Sequence, residues 1–413
     1  MLLCRWRQLL TACLAGSCGF LTVVWADWPQ WRGPNRDGIS EDFRLPSQWP
    51  ASLKEAWKVT VGEGHSSPVS AEGRVYVLSR QGEEEAVSCL DGASGKTIWK
   101  STYPAAYTMN PAATGHGKGP KSTPAVGGGR VFALGINGVL SCFDARTGKL
   151  EWRHEFSKQY PSTSPLYGTA MSPLVLNELC IAHVGGHDKG ALSAFDVQTG
   201  LLKWAWHADG PAYSSPVVAT LAGEAQLITY TQNYVVGISP VSGKLLWKIE
   251  ARRAYDTNSV TPVVYKDLIV FSLDERGIGA VRVVKQGTTF ATHEVWRNPA
   301  MESYMNTPVL HGSRLIGFSY RKRGQFFCID AETGKTLWEG PGRAGENAAI
   351  LRAGGVLFLL TNEARLIVLK ADSAGYEPLR EYSVATSPTW AHPALLGNRI
   401  LIKDQTSLTS LSF

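Results

Sequence analysis

The sequence lacks three motifs that commonly identify enzymes, and it has little excess of positive charge. It contains no Gly-x-Ser-x-Gly, His-Glu-x-x-His or phosphate-loop motif. Lys and Arg outnumber Asp and Glu by only 41 to 35, and the net charge of +6 includes Arg5 and Arg7 near the N-terminus. A charge this small and this scattered argues against nucleic-acid binding. Because no linker or low-complexity stretch divides the chain, we expect one large domain after the N-terminal segment.

Cysteine is scarce in the part of the chain that we expect to fold. Three of the seven cysteines precede residue 27. Cys89, Cys142 and Cys328 occupy the same position of a repeated pattern. Equivalent positions in neighbouring repeats should lie beyond the roughly 7 Å Cα separation that a disulfide tolerates. We therefore expect no disulfide and interpret these cysteines as small buried hydrophobic residues.

Residues 1–26 have the features of a signal peptide. Two arginines precede the apolar stretch Leu9–Val24, and Val24 and Ala26 offer small residues at the two positions that signal peptidase recognises. The sequence therefore predicts an exported protein, periplasmic or extracellular, with no transmembrane segment after cleavage. The alternative is an uncleaved membrane anchor, because the apolar stretch is about long enough for a thin span.

One pattern recurs eight times between Ser66 and the C-terminus. Six copies open with a hydroxyl residue and a proline, as in Ser67-Pro68, and two weaker copies open at Asn347–Ile350 and His392–Ala394. Each opening is followed by a strand rich in β-branched and aromatic residues. A third strand ends in Asp-Ala-x-(Ser/Thr)-Gly-Lys, most clearly at Asp144–Lys149. A fourth strand carries a tryptophan: Trp99, Trp152, Trp204, Trp247, Trp296 or Trp338. Four strands in roughly every 45 residues are typical of a β-propeller.

The two ends of the chain indicate how the ring closes. The last copy, residues 390–413, supplies only three strands, and the missing fourth strand, with Trp57, lies at residues 54–59. Pairing these strands would remove two open sheet edges. We predict an all-β, eight-bladed propeller of four-stranded antiparallel blades over residues 54–413, preceded by an extension over 27–53. Seven blades stay an alternative, because the copy at 346–385 lacks the opening proline and the tryptophan.

The repeated tryptophans are too regular in position to be catalytic. Each recurs at the same point of an outer strand, as Trp57 and Trp99 do. A large aromatic side chain buries much apolar area. We interpret all seven as structural residues that pack each outer strand onto the neighbouring blade.

One face of the disc should carry function. The loops between blades and between second and third strands share this face and vary most in length, as in residues 101–120, 157–168 and 183–190. Loops on a rigid scaffold tend to bind ligands, so we predict that this loop-rich face is the binding face. The basic loop tip at residues 321–323 is interpreted as a solvated surface.

Three positions before each opening proline, the chain should point toward the central funnel. The side chains predicted there are diverse, and five of them are candidate ligand-binding residues: His65, Lys121, Tyr213, Glu346 and Trp390. Such a convergence resembles a ligand site, although polar residues could equally line a water-filled channel. The adjacent hydroxyl position is nearly uniform, so we predict that it caps backbone groups.

Two groups of residues have the chemistry of metal ligands. His183, His187 and Asp188 share one enlarged loop, and imidazole and carboxylate groups suit zinc or copper. Asp256 and Asn258 could hold calcium through oxygen atoms. Since one loop rarely supplies a full coordination shell and Asp and Asn are common turn residues, we predict no firm metal site.

The core Asp-Ala-x-Thr-Gly-Lys-x-x-Trp, as at Asp330–Trp338, resembles the pyrroloquinoline quinone (PQQ)-type propeller repeat. The opening Asp27–Gly38 is similar to the start of quinoprotein dehydrogenases and to secreted PQQ-like propellers. In the dehydrogenases the resemblance implies a quinone stacked between a tryptophan and a disulfide of adjacent cysteines, with calcium held by acidic and amide residues. This chain has no adjacent cysteines and no Cys-x-x-Cys-His haem motif. BamB-like propellers, which the sequence also resembles, bind a protein partner and catalyse nothing.

Two functions are therefore considered. The first is an exported, non-catalytic scaffold that binds a protein partner or a small ligand on its loop-rich face. The second is a divergent PQQ- and calcium-dependent dehydrogenase of alcohols or sugars. The second would use Asp256 or Glu346 as base, Lys121 and His65 to hold the quinone carboxylates, and Trp390 as a stacking surface. We favour the scaffold, because fold alone does not confer catalysis.

Overall fold

The structure is a computed structural model that describes residues 27–273 and 275–413. The predicted signal peptide, residues 1–26, lies outside the described residues. Strands dominate, and the helices of the described part are the short 3₁₀ segments Pro111–His116, Ala254–Asp256 and Arg321–Arg323. No helix in these ranges is long and apolar enough to cross a membrane.

The described strands form eight four-stranded antiparallel blades, each running from inner to outer strand. Blade 1 is Val69–Ala71, Arg74–Gln81, Glu84–Asp91, Thr97–Pro104; blade 2 Ala125–Gly127, Arg130–Leu134, Leu140–Asp144, Leu150–His154; blade 3 Leu174–Leu176, Leu179–Gly186, Lys189–Asp196, Leu202–Trp206; blade 4 Val217–Leu221, Glu224–Tyr230, Tyr234–Ile238, Leu245–Glu250. Blade 5 is Val263–Tyr265, Leu268–Leu273, Gly277–Gln286, Thr289–Asn298; blade 6 Val309–His311, Arg314–Ser319, Gln325–Asp330, Thr336–Glu339; blade 7 Ala348–Ala353, Val356–Thr361, Arg365–Lys370, Pro378–Ser383; blade 8 Ala394–Leu396, Arg399–Lys403, Ser407–Ser412, Lys54–Thr60.

The eight-bladed prediction is confirmed. Lys54–Thr60 pairs antiparallel with Ser407–Ser412 as the outer strand of blade 8, with Trp57 opposite Ser410. The divergent copy at residues 346–385 forms a complete blade 7, so the alternative of seven blades is wrong. Blade 7 also gains a strand that was not predicted, because Ile39–Ser40 pairs parallel with its inner strand.

The core lies between the blades. Middle strands such as Arg74–Gln81 are buried along almost their whole length, because both faces of a blade contact a neighbour. Outer strands such as Thr97–Pro104 bury mainly alternate residues, since they meet water on one side. The described cysteines, Cys89, Cys142, Cys180 and Cys328, are all buried and free.

The repeated turn motif holds the tryptophan of the preceding blade. Trp99 Nε1 of blade 1 donates to the carbonyl oxygen of Ala145 in blade 2 over 3.0 Å. Gly148 of the same turn has φ +74°, and a Cβ there would lie 2.5 Å from the Trp99 ring. Asp144 Oδ1 fixes the turn by accepting from Thr147 N and Oγ1 at 2.7 and 2.6 Å. The Asp-x-x-Thr-Gly sequence therefore forms a contact between blades.

Four other tryptophans repeat this hydrogen bond: Trp57 to Gly92 O, Trp152 to Val197 O, Trp204 to Pro240 O and Trp296 to Ala331 O. Trp247 instead donates to Gln226 Oε1 in its own blade. Trp338 Nε1 has no hydrogen-bond partner within the described residues.

The opening hydroxyl residues link the inner strands of successive blades. Ser67 N donates to Thr123 Oγ1 at 3.1 Å, and Thr123 N donates to Ser172 Oγ at 3.0 Å. The series continues through Ser215, Thr261 and Thr307. The sequence predicts that these hydroxyls bond backbone groups. The structure adds that each of these backbone groups belongs to the neighbouring blade.

Candidate functional site

Residues 28–38 close the central channel of the ring. Trp28 forms an antiparallel bridge with Ser70 of blade 1. Arg32 donates to the carbonyl oxygens of Thr307 and Pro308 at the inner strand of blade 6, at 2.7 and 2.8 Å. Arg36 donates to Ser172 O and Pro173 O at blade 3, at 3.0 and 2.8 Å. Because these contacts reach three separate blades, the segment spans the channel, and we call it the plug.

The plug depends on two buried arginines and two glycines. Arg32 and Arg36 are 1% and 3% exposed, and burial lowers the pKa of Arg32 to about 10 and that of Arg36 to about 9. Both guanidinium groups therefore stay charged at neutral pH. Gly33 and Gly38 have φ +85° and +79°, and a Cβ would lie 2.9 Å from the Trp28 ring and 2.8 Å from Arg32 Nη2, respectively. The segment Asp27–Gly38, whose sequence resembles the start of other propellers, thus contains the plug that fills the channel.

A central cavity of about 430 Å³ opens on the loop-rich face, above the plug. Trp31 of the plug is part of its lining, next to the ring of His392 at a centroid distance of 5.5 Å. The cavity is lined mainly by aromatic, imidazole and hydroxyl side chains, and its described lining contains no Asp or Glu. The larger lining side chains include Trp31, His65, His116, Lys121, Tyr167, Tyr213, Tyr304, Met305, Trp390 and His392.

Four of the five predicted ligand-binding residues line this cavity: His65, Lys121, Tyr213 and Trp390. Each of the four lies three residues before the opening proline of its blade, and this shared position directs it toward the central cavity. Sequence reasoning missed the lining residues that the repeat does not supply. Trp31 comes from the plug, and His116 and Tyr167 come from the long insertions after blades 1 and 2.

One corner of the cavity is an aromatic cluster. The ring centroid of Trp390 lies 4.7 Å from that of His116 and 5.8 Å from that of His65, in edge-to-face geometry. His65 Nε2 donates to the carbonyl oxygen of His116 at 2.9 Å. Burial lowers the pKa of His65 to about 3 and also lowers the pKa of His116. Both imidazoles are therefore neutral at pH 7, and the cluster presents an uncharged aromatic surface.

Lys121 is the cationic residue of the described lining. Its Nζ donates to Tyr167 O at 2.5 Å, and burial lowers its pKa to about 8, so most of it is protonated at pH 7. Tyr213 Oη accepts from Tyr167 N at 3.1 Å, and burial raises the pKa of Tyr213, which keeps the phenol neutral. A lysine without a carboxylate partner in an aromatic cavity favours a bound anion.

Glu346 lies outside the central cavity. Its exposed side chain lines a second cavity of about 720 Å³, which we call the rim chamber and which shares Tyr304 and Met305 with the central cavity. The side chains of Lys121 and Glu346 form no ion pair with each other within the described residues.

The residues considered as metal ligands are divided between two environments. His183 is buried in a strand of blade 3, and its Nε2 donates to Asp209 O at 3.1 Å. His187 Nδ1 lies 2.9 Å from Asp256 Oδ2, and its Nε2 lies 3.3 Å from Asp188 Oδ2. His187, Asp188 and Asp256 therefore form polar contacts that join two loops, and His183 is not among them.

A PQQ group with calcium does not fit the residues of the central cavity. Calcium takes six to eight oxygen ligands that include carboxylates, and the described lining supplies none. Asn258 does not line this cavity. Its Nδ2 donates to the carbonyl oxygens of Thr231, Gln232 and Ala251 at 3.1, 3.1 and 2.5 Å, and its buried Oδ1 has no hydrogen-bond partner among the described residues. No group of three or more His, Cys, Asp or Glu residues in the described ranges could hold a metal ion. We derive no quinone chemistry from this site.

Known proteins share this architecture. The structure of a quinohemoprotein alcohol dehydrogenase from Comamonas testosteroni superposes with a TM-score of 0.68 at 14% identity, covering 94% of this chain and 80% of that one. The structure of BamB from Moraxella catarrhalis superposes with a TM-score of 0.61 at 16% identity, covering 88% of this chain and 98% of that one. At these identities the likeness establishes the fold alone.

The sequence has relatives of the BamB type. The outer membrane protein assembly factor BamB of Shewanella oneidensis is 24% identical over 62% of this chain and 66% of its own length. The family model described as outer membrane protein assembly factor BamB matches residues 48–115 and 83–339, which together are more than half of the chain. This protein therefore belongs to the BamB family of PQQ-like β-propellers.

Proposed function

We propose that this protein is an exported, non-catalytic propeller that binds a protein partner or a small ligand on its loop-rich face. The observation that carries the proposal is the central cavity, whose lining combines the aromatic side chains of Trp31, Tyr213 and Trp390 with the ammonium group of Lys121. Such a cavity accepts a planar apolar group that carries a negative charge. The aromatic rings stack on the planar group, and the ammonium group pairs with the negative charge.

The imidazole and carboxylate groups of this site favour binding over catalysis. A general acid or base works best with a pKa near the working pH, but burial lowers the pKa of His65 and His392 to about 3. The candidate base Asp256 is paired with His187, and Glu346 lies in the rim chamber. Neither carboxylate lines the central cavity.

The family supports a protein partner in particular. Its relatives are described as outer membrane protein assembly factors, and a rigid ring with variable loops on one face suits the same use here. A partner would place an aromatic side chain in the central cavity, as hot-spot residues do at other interfaces.

Calorimetry with a minimal probe tests the cavity. N-acetyl-L-tryptophan combines an indole with a carboxylate, and we expect it to bind saturably and more tightly than its amide. Trp390→Ala should abolish binding of both compounds. Trp206→Ala, on the outer strand of blade 3, is the matched control and should leave binding unchanged. Absence of saturable binding by the wild-type protein at millimolar concentrations would contradict the proposal.

Export is tested separately. Expression with cell fractionation, followed by N-terminal sequencing, should give a soluble exported protein that begins at Asp27. A protein that keeps residues 1–26 and sediments with membranes would support the anchored alternative.

A further inference from the structure

The rim chamber joins the central cavity on the loop-rich face. The two cavities share Tyr304 and Met305, and the rim chamber is lined further by residues of blades 6 and 7 and of the loops around them. Its volume of about 720 Å³ is larger than the 430 Å³ of the central cavity. A ligand that fills both must be extended.

Two acidic side chains of the rim chamber are already engaged. Glu302 Oε1 lies 3.6 Å from Arg253 Nη1, and its Oε2 accepts from Tyr320 Oη at 3.3 Å. Glu363 lies 3.7 Å from Arg365 Nε. Both carboxylates are paired with arginines of the protein, and this pairing reduces the repulsion that they exert on an anionic ligand.

Two arginines of the same chamber are not engaged. Within the described residues, the side chains of Arg323 and Arg343 have no hydrogen-bond or ion-pair partner. Both are exposed and line the chamber. The interpretation of residues 321–323 as only a solvated loop tip is therefore incomplete, since Arg323 faces a cavity.

The backbone holds these arginines together. Arg323 lies in the loop within blade 6, and Arg343 lies in the loop from blade 6 to blade 7. Arg343 N donates to Lys322 O and Ala344 N donates to Gly324 O, both at 3.0 Å, and these bonds join the two loops. Arg323 and Arg343 have φ +63° and +66°, a conformation that is uncommon for long side chains and persists only where the surroundings enforce it. The loops thus fix the backbone of two arginines at the wall of one cavity.

We propose that the rim chamber and the central cavity together bind an extended peptide segment in which an aromatic residue is followed by acidic residues. The aromatic side chain occupies the central cavity, and Arg323 and Arg343 bind the carboxylates. Glu346, whose side chain is also unpaired in the described structure, accepts a backbone N–H of the peptide. A fully deprotonated inorganic anion such as sulfate has no such donor, so Glu346 favours a peptide over sulfate. This inference rests on the proposed function and names its partner class.

Calorimetric titration with three synthetic peptides tests the inference. The acidic probe is acetyl-Trp-Gly-Asp-Glu-amide, the neutral probe replaces Asp and Glu by Asn and Gln, and the basic probe replaces both by Lys. We expect the acidic peptide to bind roughly three- to tenfold more tightly than the neutral one, since exposed ion pairs are individually weak and two of them act together. The basic peptide should bind most weakly.

Variants assign the preference to the two arginines. The double variant Arg323→Ala/Arg343→Ala should bind the acidic and neutral peptides equally, and Arg146→Ala, an exposed residue of a blade 2 turn, should behave as wild type. If the double variant does not fold, added salt provides the readout: between 50 and 500 mM NaCl only the affinity for the acidic peptide should fall.

The outcomes separate the two proposals. Equal binding of acidic and neutral peptides, with both lost in Trp390→Ala, would overturn this inference and leave the proposed function standing. Retention of the acidic preference in the double variant would overturn it as well. Failure of all three peptides to bind would overturn both proposals.

Discussion

Trp99 in blade 1 lies directly over Gly148 in blade 2, and its indole donates to the carbonyl oxygen of Ala145 in the same turn. The ring covers the one residue of the turn that has no side chain. Four further blade junctions repeat the indole–carbonyl hydrogen bond. The tryptophan of one repeat and the Thr-Gly turn of the next therefore form a single structural unit, which two copies of the motif share.

Gly148→Ala should destabilise the ring. The new Cβ would lie 2.5 Å from Trp99 at a φ of +74°. Overpacking and a left-handed conformation together should lower the free energy of unfolding by about 2–4 kcal/mol. Gly129→Ala is the matched control, because its φ of +72° is nearly the same and nothing lies within 4 Å. Urea denaturation of both variants measures the difference, and equal losses would show that the Trp99 contact contributes nothing.

Trp99→Ala should affect stability and leave ligand binding intact. The side chain is 9% exposed and lies at the blade 1–blade 2 junction. Its loss should cost about 3–5 kcal/mol of unfolding free energy, measured in urea, while the affinity for N-acetyl-L-tryptophan stays the same. The reverse result, unchanged stability with lost binding, would show that the tryptophan is a functional residue.

Deletion of residues 27–60 should prevent folding to a soluble ring. It removes the plug together with the outer strand Lys54–Thr60, and thus exposes the edge of Ser407–Ser412, which invites association with other chains. We expect aggregation by size-exclusion chromatography. A monomeric product with a single cooperative unfolding transition would show that neither element is needed for closure.

His183 should make the protein less stable in mild acid. Burial lowers its pKa to about 4 in the folded protein, whereas the unfolded chain has a pKa of about 6.5. Between these values the unfolded state binds more protons, so the stability of the folded state falls as the pH falls from 6.5 to 4. Urea denaturation at pH 7, 6 and 5 should show this slope, and His183→Gln should reduce it. An identical slope in the variant would contradict the assignment.

Lys121 should make anion binding depend on pH. Burial lowers its pKa to about 8, so the ammonium group is present below this pH and is lost above it. The affinity for N-acetyl-L-tryptophan should therefore fall between pH 6.5 and 9.5, by about tenfold or more once the charge-assisted contact is gone. Lys121→Arg should bind equally well at both pH values, and Lys121→Ala should bind at both as weakly as the wild type does at pH 9.5. A pH-independent wild-type affinity would exclude a role for this charge.

Much of the site could be predicted from the repeat. Because each blade folds from the same local pattern of strands and turns, a fixed offset from the opening proline placed His65, Lys121, Tyr213 and Trp390 at one axis. The same offset misplaced Glu346, which lies in the rim chamber because blade 7 departs from the pattern at its opening.

The sequence by itself determined the fold class, the eight blades and the strand of Trp57 that completes the ring, because these depend on short-range periodicity and on the need to pair sheet edges. The tertiary structure alone decided what lies inside the ring. Arg32 donates to Thr307 O, 275 residues away, and backbone hydrogen bonds hold the loop of Arg323 against the loop of Arg343. No periodicity encodes such contacts, since the plug and these loops each occur once and their partners lie on other blades or loops that only the closed ring brings near them.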